Sequence, residues 1–320
     1  MLNVNFIFAY IIKSDSMSIR KSVISAVATV MLILPVTSVA QEWALPNISV
    51  ANVRTEPRHG AELSTQALMG NPVKLLSHTD NDWWEVELSD GYTGYIIGNS
   101  LTLMKDDEMD QWKHSDRVIA VSRLETRVYA DSVGDMPVSD IVPGDILQKM
   151  DGATDSRMKV MIPDGRIGWI NRHDVMEFSN SISCALSVEG VIDAASALMG
   201  IPYLWGGLTP KGLDCSGLTK AAFFSQGVIL LRDASQQART GVPVELDALK
   251  RGDLVFFGNP ATQRVNHVAI YLGDGLIIES SGRVKVTPLA DKDDTLFARR
   301  IMPYVGAEGI RSVLAHPWYF

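Results

Sequence analysis

Cysteine is scarce in this chain: two residues in 320, Cys184 and Cys215. That excludes a disulfide-stapled scaffold and a cysteine-rich zinc module. Cys184 sits in an apolar context and is expected to be a small core residue, not half of a disulfide. An excess of basic charge is also absent. Lys and Arg number 29 against 37 Asp and Glu, a net charge of −8, which argues against a protein held on nucleic-acid phosphates. His59, His78, His114, His173 and His316 stand at no metal-ligand spacing with cysteine or acidic residues, so neither metal nor cofactor is expected. Gly206-Gly207 lacks the following Lys-Ser or Lys-Thr of a phosphate cradle. The apolar run Val23 to Val36 is too short for a comfortable transmembrane span.

What is present begins with an export signal. Arg20 and Lys21 precede the apolar run, and Ser38-Val39-Ala40 supplies a small-x-small cleavage pattern before Gln41. Residues 1–40 are therefore expected to be a signal peptide, with Met17 as the better start. A retained helical anchor is the alternative. No cysteine follows the run, so no lipoprotein anchor is expected. The product is expected to be exported, periplasmic or secreted, with no stable membrane insertion once the signal is removed. At 46% hydrophobic and 21% charged residues, the chain has globular composition and room for two or three domains.

Residues 41–105 alternate in short runs. Ser49 to Arg54, Asn71 to Leu76 and Trp83 to Leu88 are separated by turn-rich stretches, and Ser89-Asp90-Gly91 leads into Tyr92-Thr93-Gly94-Tyr95-Ile96. Residues 117–178 repeat the theme. Met158 to Ile162 meets Pro163-Asp164-Gly165, followed by Arg166-Ile167-Gly168-Trp169-Ile170. The match of DGYTGYI with DGRIGWI predicts an internal duplication. Between the copies, residues 106–116 open on an acidic run expected to be a solvated linker.

From residue 184 the pattern changes. Val188, Val191, Ile192, Ala195 and Leu198 recur at helical spacing until Gly200-Ile201-Pro202. Cys215 then opens a second helical pattern, with Leu218, Ala221, Ala222 and Phe223 as its apolar face and Gly227 as its stop. A thiol at a helix N-terminus lies where the dipole favours the thiolate, which makes Cys215 a candidate nucleophile. His267 heads a strand-like run, His267 to Leu272, that turns at Gly273-Asp274-Gly275 into Leu276 to Glu279. Helices first and an antiparallel sheet afterwards predict an α+β domain.

Four segments in order carry a resemblance: Pro202-Tyr203-x-Trp205-Gly206-Gly207, Asp214-Cys215-Ser216-Gly217-Leu218, Arg251 to Phe257, and His267 to Gly275. They resemble the NlpC/P60 family of cell-wall cysteine peptidases over residues 184–320. The 41–105 and 117–178 copies are similar to bacterial SH3-like domains. The resemblance implies an α+β architecture: a papain-like NlpC/P60 catalytic domain preceded by two small SH3-like β-barrels. It implies that Cys215 attacks an amide carbonyl and His267 acts as base. The layout is similar to γ-D-glutamyl-L-diamino acid endopeptidases, so the implied partners are peptidoglycan stem peptides (muropeptides), with no nucleic acid. A peptidase releasing L-Ala-D-Glu from peptides with a free L-Ala amine is the leading expectation. An endopeptidase on glycan-linked wall, or an inactive wall-binding scaffold, is the alternative.

The family's third polar residue lies twelve positions after the histidine and is usually His, sometimes Asn or Gln. Here it is Glu279. A glutamate can accept from the imidazole N–H and stabilise the imidazolium; the alternative is a strand-end glutamate facing solvent. Asp214 can cap the Cys215 helix, and the resemblance gives it a second use, binding the L-Ala amine. Glu62 is a further candidate acid for that amine, with Tyr92 a candidate hydroxyl and Tyr95 its rival. Tyr203 can polarise the scissile carbonyl, and Trp205 can line the pocket. Ser216, Asp233 and Ser235 are candidates for the D-Glu α-carboxylate, Asp233 against its own charge.

Overall fold

The computed structural model describes residues 42–179, 186–302 and 304–320. The expected signal segment and Cys184 lie outside them. The described elements belong to one compact unit, and no helix among them is long and apolar enough to cross a membrane.

Seven short strands come first: β1 (Trp43–Pro46), β2 (Val50–Arg54), β3 (Leu63–Leu68), β4 (Val73–His78), β5 (Trp83–Glu87), β6 (Thr93–Ile97) and β7 (Leu101–Met104). They form one sheet in the order β3-β2-β6-β5-β4-β1-β7. Seven more follow: β8 (Arg117–Ala120), β9 (Thr126–Tyr129), β10 (Pro137–Ile141), β11 (Ile146–Ala153), β12 (Arg157–Met161), β13 (Ile167–Asn171) and β14 (Val175–Glu177). Their order, β10-β9-β13-β12-β11-β8-β14, is the first order with every number raised by seven. The duplication read from DGYTGYI and DGRIGWI is thus a duplication of topology, and both sheets are SH3-like.

The motif has a steric reason. A Cβ on Gly94 would stand 2.7 Å from Val53 Cγ1 and 2.9 Å from the Arg54 carbonyl; one on Gly168 would stand 2.4 Å from Val128 Cγ1 and 2.6 Å from the Tyr129 carbonyl. Each glycine marks where the sixth strand of its sheet passes the second too closely for any side chain. Gly91 and Gly165, the turn glycines before them, have φ of 84° and 88°.

The segment between the sheets, expected to be a solvated linker, is helical: α1 (Asp106–His114). Glu108 accepts from the Lys105 N–H at 2.8 Å, and three acidic residues in the first turn suit the helix dipole. Met109 and Trp112, one turn apart, are buried in a cluster with Leu45, Ile119 and Phe178. Charge dominates the composition of this segment, but two apolar residues at helical spacing suffice to dock it.

The rest is the α+β part. It comprises α2 (Val188–Ala197), the ribbon β15 (Leu208–Thr209) and β16 (Gly212–Leu213), α3 (Cys215–Phe224), β17 (Val228–Leu230), α4 (Ala234–Gln237), β18 (Val242–Val244), β19 (Leu254–Asn259), β20 (Arg264–Gly273), β21 (Leu276–Ser281), β22 (Arg283–Pro288), β23 (Thr295–Arg300) and β24 (Ile310–Ser312). Six strands form an antiparallel sheet in the order β18-β23-β19-β20-β21-β22, while β17 pairs with β24. One set of sheet residues, with Leu254, Phe256, Val268, Ile270 and Ile278, shares a core with Val191 and Ile192 of α2 and Leu218, Ala222 and Phe223 of α3. The alternating set, with Val255, Phe257, Ala269 and Ile277, forms a smaller core.

Buried bonds join the first SH3-like sheet to this part. Gln66 Oε1 accepts from Leu208 N at 2.9 Å, and Thr65 Oγ1 accepts from Arg232 Nε at 2.8 Å. Asp90 pairs with Lys220 at 2.8 Å. The Tyr319 hydroxyl reaches Ser89 Oγ at 3.2 Å and Asn71 Oδ1 at 3.0 Å. The Asp90 loop is therefore anchored from both α3 and the C-terminal segment.

Candidate active site

Cys215 is the first residue of α3 and is 7% exposed. Asp214 caps the helix, its Oδ1 accepting from Gly217 N at 2.6 Å. Gly217 has to be glycine, because a Cβ there would stand 2.0 Å from the Gly207 carbonyl oxygen. The D-C-S-G and W-G-G segments are thus pressed together, which holds the thiol against the loop that carries Tyr203 and Trp205.

His267, on β20 opposite Phe257 of β19, lies between Cys215 and Glu279. Its Nε2 is 2.6 Å from Glu279 Oε2, leaving Nδ1 as the ring nitrogen for the thiol. Glu279 does not face solvent: its side chain is 0% exposed. It also accepts from Lys292 Nζ at 2.7 Å through Oε2 and from Thr287 Oγ1 at 2.8 Å through Oε1. Burial works against the charge of both partners, and their hydrogen bonds outweigh it. The His267 imidazolium, bonded to Cys215 and Glu279, is raised to about 9. The Glu279 carboxyl, with His267, Lys292 and Thr287 as donors, is lowered to about 2. The group between thiol and carboxylate therefore carries its proton at neutral pH, the state in which an imidazolium partners a thiolate.

Tyr203 is half-buried, and burial together with the neighbouring Cys215 and Asp214 pushes its hydroxyl up to about 12. It stays a hydrogen-bond donor across the working range. Trp205 is 60% exposed at the rim.

Asp214 is already engaged within the protein. Both of its oxygens are occupied. Oδ1 accepts from Gly217 N, Ser216 Oγ and Arg232 Nη1; Oδ2 accepts from Gly206 N at 2.9 Å and Arg232 Nη2 at 2.5 Å. Asp214 is buried; it caps the Cys215 helix and braces Arg232 against it. Arg232 offsets the Asp214 charge next to the Cys215 thiol. Ser216 is tied into the same network, accepting from Arg232 Nη1 at 2.9 Å.

Asp233 differs. It is half-buried and hydrogen-bonded to the Tyr92 hydroxyl, and burial together with Asp214 and Asp90 raises its carboxyl despite the adjacent Arg232. Tyr92 is raised by burial and by Asp233. The SH3-like turn therefore brings Tyr92 to the site, whereas Tyr95 lies within β6 opposite Glu85. Ser235 is exposed on α4. Glu62 is exposed and precedes Leu63, whose carbonyl packs on Gly206; its side chain is not joined to the cluster by a hydrogen bond among the described residues.

Sequence reasoning missed Arg232, Thr65, Thr287 and Lys292. Arg232 follows a three-residue strand and precedes an acid, with nothing to mark it as buried. Lys292 sits in Asp291-Lys292-Asp293-Asp294, which reads as solvated charge.

A cavity of about 490 Å³ lies elsewhere, against the later turns of α3, lined by Leu68, Leu88, Ile119, Lys220, Phe224 and Tyr319 among others. Neither Cys215 nor His267 borders it.

Comparison with known proteins finds matches to two parts of the chain. Residues 200–300 match the model of the NlpC/P60 family, and residues 53–101 match that of the bacterial dipeptidyl-peptidase Sh3 domain. The chain is 30% identical over 272 residues to dipeptidyl-peptidase 6 of Lysinibacillus sphaericus, covering 81% of this chain and 96% of that one. It is 28% identical over 259 residues to a gamma-D-glutamyl-L-lysine dipeptidyl-peptidase of Bacillus cereus, covering 76% of each. The crystal structure of an NlpC/P60 family protein from Bacillus cereus superposes with a TM-score of 0.71 at 23% identity, covering 81% of this chain and 99% of that one, a likeness of fold.

Proposed function

The chain belongs to the NlpC/P60 family and is a cysteine peptidase of the cell wall, and we propose that it hydrolyses the γ-D-glutamyl–diamino acid bond of stem peptides whose L-Ala amine is free. On this reading residues 41–105 and 117–178 are the SH3-like domains, 184–320 is the peptidase domain, and residues 1–40 direct export to the periplasm or the medium.

The Cys215 thiolate attacks the γ-carbonyl of D-Glu while the His267 imidazolium, held by Glu279, stabilises the thiolate. Negative charge develops on the carbonyl oxygen, and the protonated Tyr203 hydroxyl donates to it. His267 then gives its proton to the departing amine, leaving a thioester on Cys215. Water, deprotonated by the now neutral His267, releases L-Ala-D-Glu.

Support for a free-amine requirement comes from one observation: Tyr92 of the first SH3-like sheet closes on Asp233, beside the Arg232–Asp214 pair that leads to Cys215. A half-buried carboxylate braced by a hydroxyl suits an ammonium and repels a carboxylate, so we move Asp233 from the D-Glu α-carboxylate to the L-Ala amine, with Glu62 at the approach. Ser216 and Ser235 remain candidates for the α-carboxylate, with the Arg232 charge behind Ser216.

The test is mass-spectrometric cleavage of two L-Ala-γ-D-Glu-diamino acid tripeptides by residues 41–320, one with a free amine and one N-acetylated. Cleavage of the free peptide alone, abolished in Cys215→Ala and relaxed in Asp233→Asn, supports the reading. Equal cleavage of both peptides overturns the free-amine requirement.

A further inference from the structure

Glu279 serves donors from two strands and a loop. His267 Nε2 on β20 and Lys292 Nζ both approach Oε2, at 2.6 and 2.7 Å, while Thr287 on β22 takes Oε1 at 2.8 Å. Lys292 belongs to no strand. It lies between the one-turn helix Leu289–Asp291 and β23. Its side chain nevertheless stays near the site, 20% exposed, with the ammonium 5.5 Å from the centroid of the Phe257 ring. Phe257 in turn stands 5.4 Å from the His267 ring. A loop lysine ordinarily keeps its head group in water; this one is drawn onto a fully buried carboxylate.

Two cations on one oxygen compete for it. An ammonium there keeps the carboxylate charged in a site where burial disfavours charge, and it repels the imidazolium through the same atom. We propose that Lys292 is a positioning residue for the Cys215–His267 pair: it holds Glu279 turned toward the imidazole and limits how tightly the carboxylate retains the imidazolium. The inference rests on the catalytic assignment above. Its function is proton release, because His267 must both pair with the thiolate and surrender its proton to the leaving amine. A buried glutamate acting alone favours the first task and slows the second.

The other charged and titratable groups around the pair come from every neighbouring element. Cys215 faces His267 from α3, with Tyr203 behind it. Lys285 on β22 is the cross-strand partner of Glu279. Asp291 and Asp293 flank Lys292 in its loop and are exposed. Among the described residues, Lys292 is the lysine whose ammonium is hydrogen-bonded to Glu279.

The experiment uses residues 41–320 carrying Lys292→Met, Lys292→Arg or Cys215→Ala, with Lys292→Gln as a second neutral variant should methionine disturb folding. Two pH profiles are recorded: the rate of Cys215 alkylation by iodoacetamide, which needs no substrate, and kcat/KM on the free-amine tripeptide. With the ammonium gone, the alkaline limb of both profiles moves up by about one pH unit. kcat falls roughly tenfold, a fraction of what general acid–base catalysis contributes, while KM stays within about twofold; Lys292→Arg restores the wild-type limb. An alkaline limb that stays in place or moves down in both neutral variants overturns the proposal, as does a loss confined to KM. Failure of the catalytic assignment shows separately, as retained cleavage in Cys215→Ala.

Discussion

Arg232 grips both carboxylate oxygens of Asp214, Nη1 to Oδ1 at 3.1 Å and Nη2 to Oδ2 at 2.5 Å, one residue before Cys215. The pair is buried, with the Arg232 side chain 1% exposed, and its Nε donates to Thr65 of the first SH3-like sheet. Breaking a buried pair from one side leaves an uncompensated charge, at a cost of roughly 3–5 kcal/mol. Arg232→Met is expected to lose stability of that order in urea unfolding and to slow Cys215 alkylation. A loss below about 1 kcal/mol would mean that Asp214 finds another partner.

Replacing Glu279 by Gln keeps an acceptor for His267 but removes its charge. The imidazolium loses its stabilisation, and kcat is expected to fall by roughly 10²–10⁴, as when the acidic member of a Ser-His-Asp triad becomes an amide. The bell-shaped profile of the wild type should shrink from its alkaline side, because the His267 value drops from about 9 toward its ordinary range. A variant profile that coincides with the wild type would remove Glu279 from the mechanism.

The same pair makes stability depend on pH. His267 is raised from 6.5 to about 9, so its contribution is complete below 6.5 and is lost as pH rises through about 9. Glu279 is lowered from 4.5 to about 2, so its contribution is complete above 4.5 and is lost as pH falls through about 2. Denaturation of wild type and Glu279→Gln should therefore differ most between pH 4.5 and 6.5. The gap should narrow toward both ends; a gap that widens toward pH 9 would contradict an imidazolium–carboxylate pair.

Tyr203→Phe removes a donor and little volume. With the hydroxyl pushed up to about 12, it donates at every pH at which the enzyme works. Loss of one oxyanion donor typically costs 10²–10³ in kcat; KM should barely change and the alkaline limb should stay in place. Single-turnover kinetics separate this from a binding effect, and a loss carried wholly by KM would place Tyr203 on the substrate instead.

Alanine at either motif glycine tests the duplicated sheets. Overpacking costs about 1–3 kcal/mol, and Gly168→Ala should cost more than Gly94→Ala, since its nearest atom is 2.4 Å away against 2.7 Å. Only Gly94→Ala, two residues from Tyr92, should also lower kcat/KM. Thermal melts and steady-state assays read the two effects apart.

Much of this protein was legible along the chain because its signals are local. Gly94 and Gly168 repeat at the same place in two turn-strand motifs, and a repeated steric requirement leaves a repeated letter. Asp214-Cys215-Ser216-Gly217 spells a capped helix whose first residue is a thiol, since capping acts over three residues. Glu279 follows His267 across a tight hairpin, a spacing that a sequence can show. Tertiary structure alone decided where the long-range charges went. Arg232 and Lys292 look like ordinary surface cations, and nothing within several residues of either says that it is drawn onto a buried carboxylate. Asp214 and Asp233 are both acids close to Arg232, and only the fold commits one to Arg232 and leaves the other to Tyr92. Burial and pairing of charge are properties of what packs around a residue, and those neighbours come from distant parts of the chain.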